Sequence, residues 1–156
     1  MTTHDAASFG TALRRLIDQL DGAVEQAYRD DGLDFRPRFT PIVRALAADG
    51  PQTIRALSAT LGVSHSAVSQ TITQMAARGL VTVATGRDAR QRIVALSAAG
   101  TALLPRLRRH WAATTAATAA LDTATDGALI AAINRANAAL EARPFGAWLD
   151  EARREV

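Results

Sequence analysis

Residues 54–72 constrain the fold more than any other part of the chain. They read Ile54-Arg55-Ala56-Leu57-Ser58-Ala59-Thr60-Leu61-Gly62-Val63-Ser64-His65-Ser66-Ala67-Val68-Ser69-Gln70-Thr71-Ile72. Thr53 can cap a short helix over 54–61, and Gly62 ends it with the backbone freedom a tight turn needs. Ser64 opens a second helix to about Arg78, where Gly79 stops it. On that helix Val68, Ile72 and Met75 form one apolar stripe, and Val68 is spaced to pack against Leu57 and Leu61. A short helix, a glycine turn and a second helix with one apolar side make a helix-turn-helix.

The other side of the second helix carries Ser64, His65, Ser66, Ser69, Gln70, Thr73 and Gln74. These are short, neutral, hydrogen-bonding side chains, suited to base edges and phosphates in a major groove. A helix that merely faces solvent more often carries charged residues, and a polar surface helix is the competing reading. Gln70 can bond adenine in two-point fashion, Ser66 or Ser69 can reach a base or phosphate, and Arg78 is spaced for phosphate. Arg38 and Thr53 are counted with them as DNA contacts, and His65 suits phosphate better than metal.

Two alternating segments follow, 80–84 and 92–96, joined by a polar turn over 85–91. They predict a hairpin whose tip and returning strand hold Arg87, Asp88, Arg90 and Arg92. An arginine at such a tip can enter a narrow, electronegative minor groove, and Asp88 would orient it through a two-point ion pair. An exposed charged turn without a partner is the alternative.

Around this centre the pattern is helical. Phe9, Leu13, Leu16, Ile17, Leu20 and Val24 mark a helix over 8–28. Pro37 and Pro41 precede and open a second, ended by Asp49-Gly50-Pro51. Ser97 caps a long helix toward Leu121, expected to bend or start near Pro105. A last helix carries Leu129, Ile133 and Leu140 up to Pro144, leaving Phe145, Trp148 and Leu149 as an apolar tail. The expected fold is mainly α with a small β-hairpin wing, a winged helix-turn-helix lobe flanked by N- and C-terminal helices. The boundaries fall at 1–35, 36–100 and 101–156.

Charge supports a polyanion partner. The 156-residue chain is only +3 overall, with 18 basic residues, all arginine. Residues 36–109 hold eleven arginines against Asp49 and Asp88, a balance of +9, while the flanks hold seven against thirteen acids, a balance of −6. A basic centre between acidic ends is the footprint of a nucleic-acid-binding module. The absence of cysteine excludes disulfides and thiol sensing, and the absence of lysine excludes a P-loop and a Schiff base. His4, His65 and His110 are scattered, so no metal or cofactor is expected, and no catalytic constellation is present. The hydrophobic content of 48% includes no run of membrane-spanning length, and the first residues lack a secretory pattern. A cytoplasmic location is expected, without a membrane partner.

The run 64–72, then Gly79-Leu80-Val81, Arg87-Asp88-Ala89-Arg90 and Val94-Ala95-Leu96-Ser97-Ala98-Ala99-Gly100, resembles the MarR family, with Ser97 where that family usually has threonine. Ser58 stands where many members have alanine. The resemblance covers about residues 40–101. It implies a two-fold dimer built by both chain ends, Arg90 as the minor-groove arginine, and a ligand pocket between the dimer helices and the lobe. The apolar residues of the terminal helices independently favour a second copy as partner, although they can also pack within one chain.

Together these features predict a homodimeric transcription regulator, a repressor on a near-palindromic operator, released by a small aromatic or amphipathic ligand. Phe35, Arg36, Phe39, His110 and Trp111 are the candidate ligand contacts, with ordinary core as the competing role for these aromatics. A winged-helix protein-interaction module without DNA binding is the alternative function.

Overall fold

Side-chain caps set the boundaries of the central elements. In the computed structural model, which describes residues 6–86 and 91–155, the Thr53 hydroxyl accepts from the Ala56 amide at 3.1 Å and starts α3, Ile54–Leu61. Gly62 turns the chain at φ +62, a conformation that strains any residue with a Cβ. The Ser64 hydroxyl then accepts from the Ala67 amide at 3.3 Å and starts α4, His65–Ala77. Ahead of this pair lie α1, Ala6–Asp30, a 3-10 turn over Pro37–Phe39, and α2, Thr40–Asp49.

After α4 the wing is formed by β2, Val81–Thr85, and β3, Arg92–Leu96, paired antiparallel with Val83 opposite Val94. The first strand starts one residue later than its alternation predicted, because Leu80 is used as a corner. Its amide donates to Met75 O at 3.0 Å, and its carbonyl accepts from Ser97 N at 3.0 Å. The sequence pattern missed β1, Gln52–Thr53, which pairs with β3 on the side away from β2. Two residues after Pro51 are too short to show alternation.

The C-terminal section starts at the cap expected for it and departs from expectation further on. α5 spans Ala98–Ala124 and begins ahead of Pro105. Ser97 sets that start: its hydroxyl accepts from Gly100 N at 2.9 Å and donates to Gly79 O at 2.5 Å. α6, Leu129–Ala142, begins where the Asp122 carboxylate accepts from Ile130 N at 2.8 Å. The expected apolar tail is instead a further helix, α7, Phe145–Glu155. Pro144 forces Arg143 into extended backbone and so ends α6. It does not prevent a new helix from starting behind it, with Phe145, Trp148 and Leu149 on one face.

Residues 1–110 and 111–156 form separate compact units. The core of the first holds Phe39, Leu57, Val68, Ile72, Met75, Val94 and Leu107, all buried. The apolar stripes foreseen on α3 and α4 therefore point inward. In α6 and α7 no side chain is buried.

Candidate nucleic-acid interface

The turn between α3 and α4 is held by more than its glycine. The Ser58 hydroxyl donates to Val63 O at 2.6 Å, and Val63 N returns to Ser58 O at 3.2 Å. Serine at that position therefore closes the turn. With both helix starts capped, α4 is presented as a stiff rod whose apolar side is in the core.

On its outer side Ser64, His65, Ser66, Gln70 and Thr73 are exposed, and Ser69 and Gln74 are half-buried. The Thr73 hydroxyl is turned back onto Ser69 O at 3.0 Å. A groove of about 730 Å³ runs between this helix and the wing. Its floor includes Ile54, Ile72 and Val83, and its polar walls include Thr53, Arg55, His65, Ser69, Thr73 and Arg92. An apolar floor between two arginines and several hydroxyls fits a sugar-phosphate strand: the guanidinia meet phosphate, the hydroxyls accept or donate, and the floor meets sugar. Arg55 is the residue sequence reasoning missed. Its exposed place on the first turn of α3 was readable, but its lining the same groove as Arg92 depends on where β3 packs. Arg87, Asp88 and Arg90 lie outside the described residues.

The other expected contacts gather at the C-terminal end of α4. Arg38 donates to the Gln74 side-chain oxygen and lies 5.8 Å from the Phe39 ring centroid. Arg78 pairs with Asp34 at 3.2 Å, donates to Gln74 O at 3.1 Å and lies 5.5 Å from the same ring.

Among the candidate ligand contacts, Phe35 and Phe39 are buried and pack edge-on at 5.6 Å, and Phe35 meets Tyr28 in the same way at 5.1 Å. Arg36 is half-buried in extended backbone before the 3-10 turn. Trp111 belongs to the second compact unit. The His110 ring sits 4.9 Å from Tyr28 and donates from Nε2 to Asp31 Oδ2 at 3.1 Å. Arg106 reaches the same carboxylate oxygen at 3.2 Å and also donates to the Asp31 backbone carbonyl. The His110 hydrogen bond, followed by the Arg106 charge, holds the Asp31 pKa below its ordinary 3.8. This cluster ties the end of α1 to α5.

Among the described residues no group of three His, Cys, Asp or Glu side chains could hold a metal ion. No described helix is long and apolar enough to cross a membrane.

The model of the MarR family matches residues 37–91, the helix-turn-helix and the first strand and turn of the wing. Solved structures extend the likeness over most of the chain. The regulator BpsR of Bordetella bronchiseptica, whose DNA binding is regulated by 6-hydroxynicotinic acid, aligns at TM-score 0.69 with 20% identity, over 88% of this chain and 98% of that one. The PcaV transcriptional regulator of Streptomyces coelicolor, in complex with its natural ligand, aligns at 0.66 with 19% identity, over 88% and 97%. The Mycobacterium tuberculosis regulator MOSR in complex with DNA aligns at 0.61 with 25% identity, over 81% and 95%. No curated protein sequence matches.

Proposed function

We propose that the chain is a DNA-binding transcriptional regulator of the MarR family, whose model matches residues 37–91, and that it represses as a homodimer on a near-palindromic operator. The observation that carries this reading is the outer face of α4, neutral and hydrogen-bonding, beside a groove walled by Arg55 and Arg92. In the major groove Ser66 and Gln70 face base edges, and Ser64, His65, Ser69 and Thr73 face the sugar-phosphate strand. Arg55, Arg92 and Thr53 hold the strand beside the wing, and Arg90, by the family resemblance, enters the minor groove with Asp88 and Arg87 beside it. Exposed apolar residues on the terminal helices, Leu13, Ile17, Ile133, Leu140 and Trp148 among them, supply the surface for a second copy. Two copies then place two α4 helices about one DNA turn apart, roughly 34 Å.

A small effector releases DNA by favouring a different spacing of the two lobes, which needs only a few kcal/mol of differential affinity. Two neighbours of the same fold, one in complex with its natural ligand and one whose DNA binding is regulated by a small acid, support this part of the proposal.

The test is a binding titration against duplex from the region upstream of the protein's own coding sequence, at several salt concentrations, with an unrelated duplex as competitor. The proposal expects a preference of roughly 10³-fold or more and a steep loss of affinity with salt. Gln70→Ala erodes the preference, by about 1–3 kcal/mol if its two-point contact is lost. A folded dimer that binds no duplex at low salt overturns the proposal and favours a protein-interaction module.

A further inference from the structure

The segment between α1 and α2 does more than connect them. It leaves α1 through Gly32, at φ +65, and Leu33 N is tied back to Tyr28 O at 2.8 Å. Leu33, Phe35 and Phe39 are all buried, so residues 33–39 form a strap fixed to the core. Two side chains of this strap reach the last turns of α4. Asp34 accepts from Arg78 Nε at 3.2 Å, and Arg38 donates to Gln74. Arg78 is the C-cap residue of α4 and bonds the helix's own Gln74 carbonyl, so its guanidinium is anchored to the helix it would turn. The Phe39 ring lies within 6 Å of both guanidinia, close enough for each cation to rest against it.

We propose that Asp34 and Arg38 are positioning residues that fix the rotation of α4 about its own axis, and so decide which of its polar side chains meets the bases. This rests on the DNA-reading role of α4 proposed above. Successive residues of a helix are about 100° apart, and base recognition tolerates angular errors of only roughly 10–20°. Grips on Gln74 and Arg78, one turn apart at the C-terminal end, define that rotation while leaving Ser66, Ser69 and Gln70 free. Gln74 and Arg78, expected from sequence to touch DNA, are thereby assigned to holding the helix, together with Arg38. Asp34 is 79% exposed at its side chain, so its ion pair adds little to global stability. Its consequence is geometric.

The sign of one substitution separates this role from a surface charge. Removing an acid from a basic lobe should, by electrostatics alone, tighten binding to every duplex equally. A positioning role predicts instead that Asp34→Asn lowers the ratio of own-site to unrelated-duplex affinity by roughly tenfold, with the melting temperature nearly unchanged. Asp34→Glu, which can still reach Arg78, should keep most of the ratio. Adding Asp34→Asn to Arg78→Gln should lower it no further than Arg78→Gln does alone.

Full-length wild type and the four variants are compared by titration on both duplexes, with thermal melts of each. Equal tightening on both duplexes at an unchanged ratio overturns the proposal, as does a large drop in melting temperature for Asp34→Asn, which would make the strap a stability element. A wild type without any preference between duplexes overturns the DNA-reading role as well. A wild type with a preference that Asp34→Asn retains overturns the positioning role alone.

Discussion

In the winged lobe Leu57, Met75 and Val94 are completely shielded by their own chain, whereas α6 and α7 bury no side chain at all and leave Ile133, Leu140, Phe145 and Trp148 in the open. Both regions carry amphipathic helices with good apolar stripes. The lobe closes its stripes on a three-stranded sheet and three short helices. The terminal unit has only helices, joined at corners pinned by local contacts. At the α6–α7 corner, Arg143 lies 4.5 Å from the Trp148 ring centroid and bonds Glu151 at 2.5 Å. An apolar stripe that its own chain leaves uncovered favours association, which supports the proposed pairing of two copies through the terminal unit.

The largest effect should come from placing a charge on the open stripe. Ile133→Asp is expected to halve the mass measured by sedimentation equilibrium and to weaken operator binding about 100-fold through loss of the second half-site, with little change in the lobe's circular dichroism. A mass equal to that of the wild type would break the contrast between the two regions.

Next is glycine to alanine, which should have opposite signs in the two regions. At Gly100 an added Cβ falls 2.1 Å from the Leu80 carbonyl oxygen, so the start of α5 must move away from the wing. A loss of roughly 2–4 kcal/mol is expected in urea unfolding. At Gly146 nothing lies within 4 Å, and the same change should be neutral or stabilise by about 0.5–1 kcal/mol. Similar losses at the two sites would mean that the terminal unit is as tightly packed as the lobe.

Ser97→Ala removes the cap that joins α5 to the wing corner, and about 0.5–2 kcal/mol should be lost in the same measurement. A change within error would show that the Gly79 and Gly100 bonds contribute nothing net.

The smallest effect concerns the Asp31 cluster, which ties α1 to α5. The Asp31 pKa in the folded state lies below 3.8, so the carboxylate's contribution is complete above that value and is lost as pH falls through the lowered one. Asp31→Asn should therefore melt below the wild type at neutral pH, with the gap closing only below about pH 4. A gap that is constant down to acid unfolding would remove the carboxylate from the explanation.

Much of this was legible because helix signals are local. Thr53, Ser64 and Ser97 each bond an amide three residues on, and the stripes on α3 and α4 repeat within two turns. The missed features each lack such a signal. β1 is too short to alternate, and α7 stands behind a proline that also reads as a stop. Arg55 and Arg92 come to line one groove only through the packing of the elements that carry them.

By itself, then, the sequence determined the helix-turn-helix, its caps, its neutral outer face and the unspent apolar stripes at both ends, since periodicity and capping act within one or two turns. Only the tertiary structure decided that Arg38 meets Gln74, that Asp34 meets Arg78 and that Asp31 meets His110, across separations of 36, 44 and 79 residues. Polar side chains of that kind carry no period. Which of them come within hydrogen-bonding distance is set by where the buried faces of their elements come to rest.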